Sequence, residues 1–343
     1  MKIWADIANS PQVLFMQPII AELEKRGHQV VTTTRQHSET VSIADRYGLA
    51  HTVIGEHGGG TMFGKGKAIA LRAYHLIRFL RHQKISLAVS GSSYSQALAV
   101  KWMGVPFVSL NDYEGNPGLH IVCRIAKKIL VPDVFNGANL HRFGAREEKI
   151  ESYNGLKENL YLSGFLPDPK FLEEAGIPPE KILVTMRPAS DVSAYHQYKN
   201  PLFDEALDYV ASSKNTYIVL LPRNENQRQK YASWSYPNMS IPTRVLDGPN
   251  LIYHSDVVIS AGGTMNREAV VLGSPVYSLF IGLEGSIDQY LLKTGQLKWI
   301  KHSSDIQQIK LCKNPHNNTS YLQQGKDLIK EVVDKILDIN HTY

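Results

Sequence analysis

Two hydrophobic rhythms alternate along the chain. Short β-branched or apolar runs fall at 2–7, 29–35, 51–55, 86–90, 106–111, 128–131 and 160–162 and read as strands. Between them lie segments with apolar residues three and four apart. The clearest covers 11–27, where Val13, Leu14, Met16, Ile19, Ile20 and Leu23 form one stripe and Gly27 ends it. Segments 64–84, 92–103 and 117–127 keep that rhythm. Strand–helix alternation predicts βαβ units and a parallel sheet. Residues 163–181, with Leu166-Pro167, Asp168-Pro169 and Pro178-Pro179, read as a linker. The rhythm then restarts. Strands are predicted at 182–186, 217–221, 244–246, 256–260 and 275–280, and helices at 201–211, 225–234, 264–272 and 286–293. Residues 321–337 form a last amphipathic helix. Two α/β halves are expected to face one cleft with the carboxyl ends of their sheets.

Composition narrows the class. The 343 residues are 43% hydrophobic and 20% charged, which excludes collagen-like, low-complexity and wholly disordered chains. No apolar run approaches the roughly 18 residues of a membrane span. The chain opens on a strand pattern rather than a basic-then-apolar leader, which predicts a cytoplasmic protein. Two cysteines, Cys123 and Cys312, make neither a disulfide framework nor a metal quartet. Charge is uneven: residues 1–163 carry 19 Lys+Arg against 13 Asp+Glu, and no acid lies between His57 and Asn111. That half is suited to an anionic partner, whether phosphate, nucleic acid or lipid headgroup.

Candidate chemistry sits in the loops that leave the strands. After the first strand, Asp6-Ile7-Ala8-Asn9-Ser10-Pro11 offers Ser10 as a helix cap and a helix N-terminus for an anion; a plain helix start is the alternative. The run His57-Gly58-Gly59-Gly60-Thr61 reads as a loop closing over substrate or as a plain surface loop, and matches no phosphate-loop spacing. Asp112 and Glu114 end the strand at 106–111 and can act as general base, sugar-hydroxyl ligand, metal ligand or turn cap. Arg187 and Arg223 occupy equivalent strand ends and suit a phosphate. The most informative loop is Ser260-Ala261-Gly262-Gly263-Thr264-Met265-Asn266-Arg267-Glu268. Its glycines let a phosphate approach backbone, and Glu268, one turn into the helix, can accept from ribose hydroxyls.

The stretch from Gly262 through Glu268 to Gly273-Ser274-Pro275 resembles the nucleotide-sugar site of GT-B glycosyltransferases. It is similar also to the lipid-linked N-acetylglucosaminyl transferase of peptidoglycan synthesis and to the non-hydrolysing UDP-N-acetylglucosamine 2-epimerases. The whole chain is closer still to the domain-of-unknown-function 354 family. That likeness rests on D-I-x-N-S-P at 6–11, T-x-R-P at 185–188, L-P-R at 221–223 and S-A-G-G-T-M-N-R-E at 260–268. Where members often carry a His after the opening S-P, this chain has Gln12.

The resemblance implies a GT-B-like α/β fold. Its parts are an acceptor domain over 1–163, a nucleotide-sugar domain over 164–320, both Rossmann-like, and a helix over 321–343 that crosses back to the first. It implies a glycosyltransferase with a UDP-sugar donor, metal-independent, with no cofactor. Arg187, Ser190, Arg223, Ser260, Gly262, Gly263, Thr264, Met265, Asn266 and Glu268 would meet the donor; Asn9 and Ser10 would meet the acceptor. Asp112 is the expected base, Glu114 a second candidate and Asp6 the reserve. A UDP-sugar epimerase using the same nucleotide site is one alternative. A basic nucleic-acid-binding module is another, disfavoured by the few aromatics and the absence of any such motif. The basic, apolar segment from Gly64 to Lys84 suits an anionic membrane surface on the cytoplasmic side and a lipid-linked acceptor; a helix with its apolar side in the core is the alternative.

Overall fold

In the computed structural model, the described residues are 1–37, 39–56, 62–189, 201–282, 285–316 and 318–339. The chain divides into two compact units, Met1–Ser163 with Gln323–Tyr343, and Gly164–Leu322.

The first unit is built on seven parallel strands. They are β1 (Lys2–Ile7), β2 (Gln29–Gln36), β3 (Thr52–Glu56), β4 (Leu87–Ser90), β5 (Phe107–Leu110), β6 (Lys128–Pro132) and β7 (Ile150–Tyr153). Their order is β3-β2-β1-β4-β5-β6-β7, so the direction of winding reverses between β1 and β4. The helices are α1 (Ser10–Lys25), α2 (Thr40–Arg46), α3 (Met62–Leu80), α4 (Tyr94–Met103), α5 (Leu119–Ile125) and α6 (Lys157–Leu162). Central strands are covered on both faces, which is why β4 and β5 are buried throughout and read as continuous runs.

The second unit has six parallel strands: β8 (Ile182–Arg187), β9 (Thr216–Leu220), β10 (Met239–Ser240), β11 (Val257–Ser260), β12 (Val276–Ser278) and β13 (Lys298–Trp299). Their order is β10-β9-β8-β11-β12-β13, with the reversal between β8 and β11. Its helices are α7 (Phe171–Glu174), α8 (Pro201–Ala211), α9 (Glu225–Ala232), α10 (Gly248–His254), α11 (Gly263–Leu272) and α12 (Ser286–Lys293).

The last helix, α13 (Ser320–Leu337), sends Leu328, Val332, Val333 and Ile336 into the core that β1 and α1 form with Ile3, Val13 and Ile20. Each such side chain contributes roughly 1.5–3 kcal/mol by burial. Lys128 Nζ donates to the carbonyls of Lys335 (3.0 Å) and Asp338 (2.8 Å), meeting the negative end of the helix.

Several expected elements differ. Residues 160–162 end α6, and the seventh strand is Ile150–Tyr153; Leu160 and Leu162 are buried, and three residues hold too little periodicity to separate strand from helix. Residues 163–181 are not a free linker, because Phe171 and Ile177 pack with Leu183, Val219 and Leu251. Residues 244–246 form no strand, and the outer position is taken by β10. Among the described residues no helix is long and apolar enough to cross a membrane. Cys123 and Cys312 are free thiols.

Candidate functional site

In open parallel sheets, ligands meet the loops at the carboxyl ends of the strands where winding reverses. In the second unit that point lies between β8 and β11, which pair with Ser260 opposite Arg187. Ala261 N donates to the Arg187 carbonyl at 3.1 Å, so the two loops leave the sheet side by side. Ser260 Oγ accepts from Gly262 N at 3.1 Å and closes the turn into α11. Gly262 is the N-cap of that helix, with no side-chain cap. The first-turn amides of α11 are therefore available to an external acceptor, and the helix dipole favours an anion there.

Arginines crowd this helix start. A Cβ at Gly262 would lie 2.6 Å from an Arg223 guanidinium nitrogen, and one at Gly263 would lie 2.8 Å from that of Arg267. Glycine here makes room for the guanidinium groups, which a side chain at either position would displace; no unusual φ is involved. Arg223 is held by its Nε, which donates to the Pro188 carbonyl at 2.8 Å. Gln227 locks the same loops, accepting from Arg223 N (2.9 Å) and donating to the Ala189 carbonyl (2.8 Å). Asn224 caps α9 through Gln227 N. Arg267 NH1 meets Asp288 at 3.1 Å, in a largely buried pair.

In the first unit, the reversal between β1 and β4 opens a cavity of about 240 Å³, lined by Asn9, Gln12, Arg35, Arg72 and the Gly91–Ser95 loop among others. Gln12 bridges its floor: Oε1 accepts from Ala8 N at 2.7 Å, and Nε2 donates to the Gly91 carbonyl. Behind the cavity wall, Asp6 is fully buried. It accepts from Arg72 NH1 (2.8 Å) and NH2 (2.7 Å), from Thr33 Oγ1 (2.5 Å) and from Ser93. Burial opposes its ionisation, but the Arg72 guanidinium and the Ser93 and Thr33 hydroxyls outweigh it and hold the carboxyl below its ordinary value. Arg72 also donates to the carbonyls of Ile54 (2.8 Å) and Thr34 (3.3 Å), tying α3 to the ends of β1, β2 and β3.

The residues singled out from sequence fall into distinct groups. Arg187, Arg223, Gly262, Gly263 and Thr264 gather at the reversal point of the second unit. Glu268 is half-buried one turn further along α11. Met265 and Asn266 are buried, and Asn266 Oδ1 has no partner among the described residues. Ser190 and the run 57–61 lie outside the described residues. Asn9 lines the first-unit cavity, whereas Ser10 turns to Thr40 at 3.3 Å and the N-cap of α1 is Asn9, not Ser10. Asp6 has both oxygens occupied in a sealed network, which removes it as a reserve base. Asp112 pairs with Lys157 and retains partial exposure. Glu114 is buried and accepts from Asn139 at 2.9 Å. Sequence reasoning passed over Gln12 as a ligand of two loops, and over Arg72, Gln227 and Arg267. Arg72 had a signal: it lies four residues from buried Leu76 and eight from buried Leu80, on the helix face that enters the core.

Two parallel sheets in succession, each with polar loops at its reversal point, define a GT-B-like α/β protein. The structure of the UDP-GlcNAc 2-epimerase of Methanocaldococcus jannaschii, in complex with UDP-GlcNAc and UDP, superposes with a TM-score of 0.73. It is 15% identical and covers 98% of this chain and 99% of that one. The Anabaena protein HepE, in complex with UDP and glucose, matches with a TM-score of 0.61 and 14% identity, over 99% and 97% of the two chains. The chain belongs to the family described as Protein of unknown function (DUF354), which matches residues 1–341. A relative in that range is the uncharacterized protein MJ0665 of Methanocaldococcus jannaschii, 27% identical over 315 residues, 90% of this chain and 89% of the relative.

Proposed function

We propose that the chain is a GT-B-type glycosyltransferase that takes a UDP-sugar as donor and uses no metal. The observation that carries this is the start of α11. There, two glycines leave uncapped amides beside the guanidinium groups of Arg223 and Arg267. A diphosphate would accept from those amides and from Arg223, with Arg187 at the adjoining strand end. Glu268 would hold the ribose. Preorganised donors of this kind stabilise the charge that develops on a departing diphosphate. Support also comes from two fold neighbours whose structures hold UDP or UDP-GlcNAc.

The first unit would serve the acceptor through Asn9 and its cavity. Asp112 would take the acceptor proton, because its partner Lys157 orients the carboxylate and leaves it partly exposed. Glu114 would support the same loop through Asn139 and is not the base.

A UDP-sugar 2-epimerase is the second reading, favoured by the fold likeness to epimerase structures. Donor-only incubation separates the two. NMR of UDP-GlcNAc with enzyme alone should show an unchanged sugar or slow hydrolysis for a transferase. A second UDP-sugar at equilibrium would establish the epimerase and overturn the transferase.

A further inference from the structure

Helix α3 buries Arg72, Ala73, Leu76 and Leu80 and turns a different ridge outward. Lys67, Leu71, Tyr74, Arg78 and Arg81 follow one another three or four residues apart, so they share one face. Leu71 is 52% and Tyr74 54% exposed, and the three cations are exposed with them. Beside that ridge, α4 presents Trp102, 71% exposed, and Lys101. Between the helices runs an open groove of about 800 Å³, walled by Ala70, Tyr74, Ile77, Leu98 and Trp102 and edged by Arg78 and Arg81.

An exposed Trp and Tyr over apolar walls, rimmed among the described residues by cations, is not an ordinary solvated face. The charge says what covers it. Residues 57–111 contain seven Lys/Arg and no acid. The neighbouring groove, on the other side of Leu71, holds one acid, Glu56, with Val53 and His75. Nucleic acid would use the cations and could stack bases on Tyr74 and Trp102, but it would leave the aliphatic Leu71, Ile77 and Leu98 uncovered. A bilayer with anionic headgroups uses both: aromatic rings settle at headgroup level while Lys and Arg meet phosphate.

The geometry points to the α3–α4 face as a docking surface for an anionic lipid bilayer, with Trp102, Tyr74 and Leu71 inserted and Arg78 and Arg81 on the headgroups. It stands on the first unit alone and does not depend on the nucleotide-sugar reading.

Flotation of the full chain with vesicles tests it. Phosphatidylcholine vesicles containing about one third phosphatidylserine should carry the protein, and pure phosphatidylcholine should not. Trp102→Ser and the double variant Arg78→Glu/Arg81→Glu should each lower partitioning at least about tenfold. Unchanged melting temperatures, expected for exposed positions, would show that both variants fold. Equal recovery with both vesicle types, or none with either, overturns the proposal. So does loss in the arginine variant with full binding by Trp102→Ser, which marks a general polyanion surface. A dimer in gel filtration that Trp102→Ser dissolves overturns it in favour of a second copy of this chain.

Discussion

Replacing Asp6 by Asn should strongly destabilise the first unit rather than merely slow a reaction. Four donors converge on the carboxylate: two Arg72 nitrogens at 2.8 and 2.7 Å, Thr33 and Ser93. An amide of the same shape keeps one acceptor oxygen and turns an NH₂ toward donors on the other side. Arg72, with a side chain 3% exposed, is left charged and uncompensated. Breaking a buried pair from one side costs about 3–5 kcal/mol. Set against the roughly 5–15 kcal/mol that holds a typical domain, this is a large share. Urea unfolding followed by fluorescence reports it, because Trp4 is fully buried on β1 and donates to Thr33 at 2.8 Å. Thr33→Val should also destabilise, because it removes the hydrogen bond to Asp6 and leaves the buried Trp4 Nε1–H without its acceptor, each worth about 1–3 kcal/mol. Asp6→Leu with Arg72→Met should recover most of the loss, since it removes both charges. A loss below about 1 kcal/mol for Asp6→Asn would show that the carboxylate does not compensate Arg72 and would return Asp6 to the candidate bases.

Three further outcomes follow from named groups. Asp112→Asn keeps size but lacks a proton acceptor, so turnover should fall about 10²–10⁴-fold with donor affinity near wild type in single-turnover and binding assays; retained turnover rejects it as base. The second unit should lose stability in two steps on acidification, read by melting followed through Trp234 and Trp299. Burial pushes His254 below its ordinary 6.5, so the stability it contributes is complete above that pH and is lost as pH falls below it. Burial opposes ionisation of Asp256, but bonds from His316, Asn314, Lys313 and Leu183 hold it below 3.8, and its share is lost as pH falls through the depressed value; flat melting from pH 7 to 3 contradicts both. Iodoacetamide on the native protein at pH 8 should modify exposed Cys312 and spare Cys123, whose thiol burial pushes up to about 11. Mass spectrometry showing two fast adducts would contradict that.

The chain announces its architecture where apolar patterns are long. The helices at 201–211 and 286–293 and the strand at 2–7 begin and end where periodicity places them. Short or polar elements carry no such signal. α2 buries only Thr40 and Ala44, and β13 spans two residues. The start of α11 was legible because paired glycines between a strand and a helix stand out in the sequence. What the arginines do was not. Arg223 and Arg267 are held beside the turn through Pro188, Gln227 and Asp288, which lie 35, 4 and 21 positions away from their partners. Asp6 misled for a related reason: an acid at a strand end looks open to substrate, and only its partner 66 residues away, Arg72, shows it to be sealed.

Isothermal titration of UDP and UDP-GlcNAc into the wild-type chain and Glu268→Ala decides whether the start of α11 binds a nucleotide sugar. The account predicts one saturable site and a loss of about 1.5–3 kcal/mol in the variant, the scale of a hydrogen bond to a charged group. Gly262→Ala should weaken the same isotherm, because its new Cβ displaces the Arg223 guanidinium. No heat with either nucleotide, or equal affinity in wild type and Glu268→Ala, would contradict a UDP-sugar site at the start of α11.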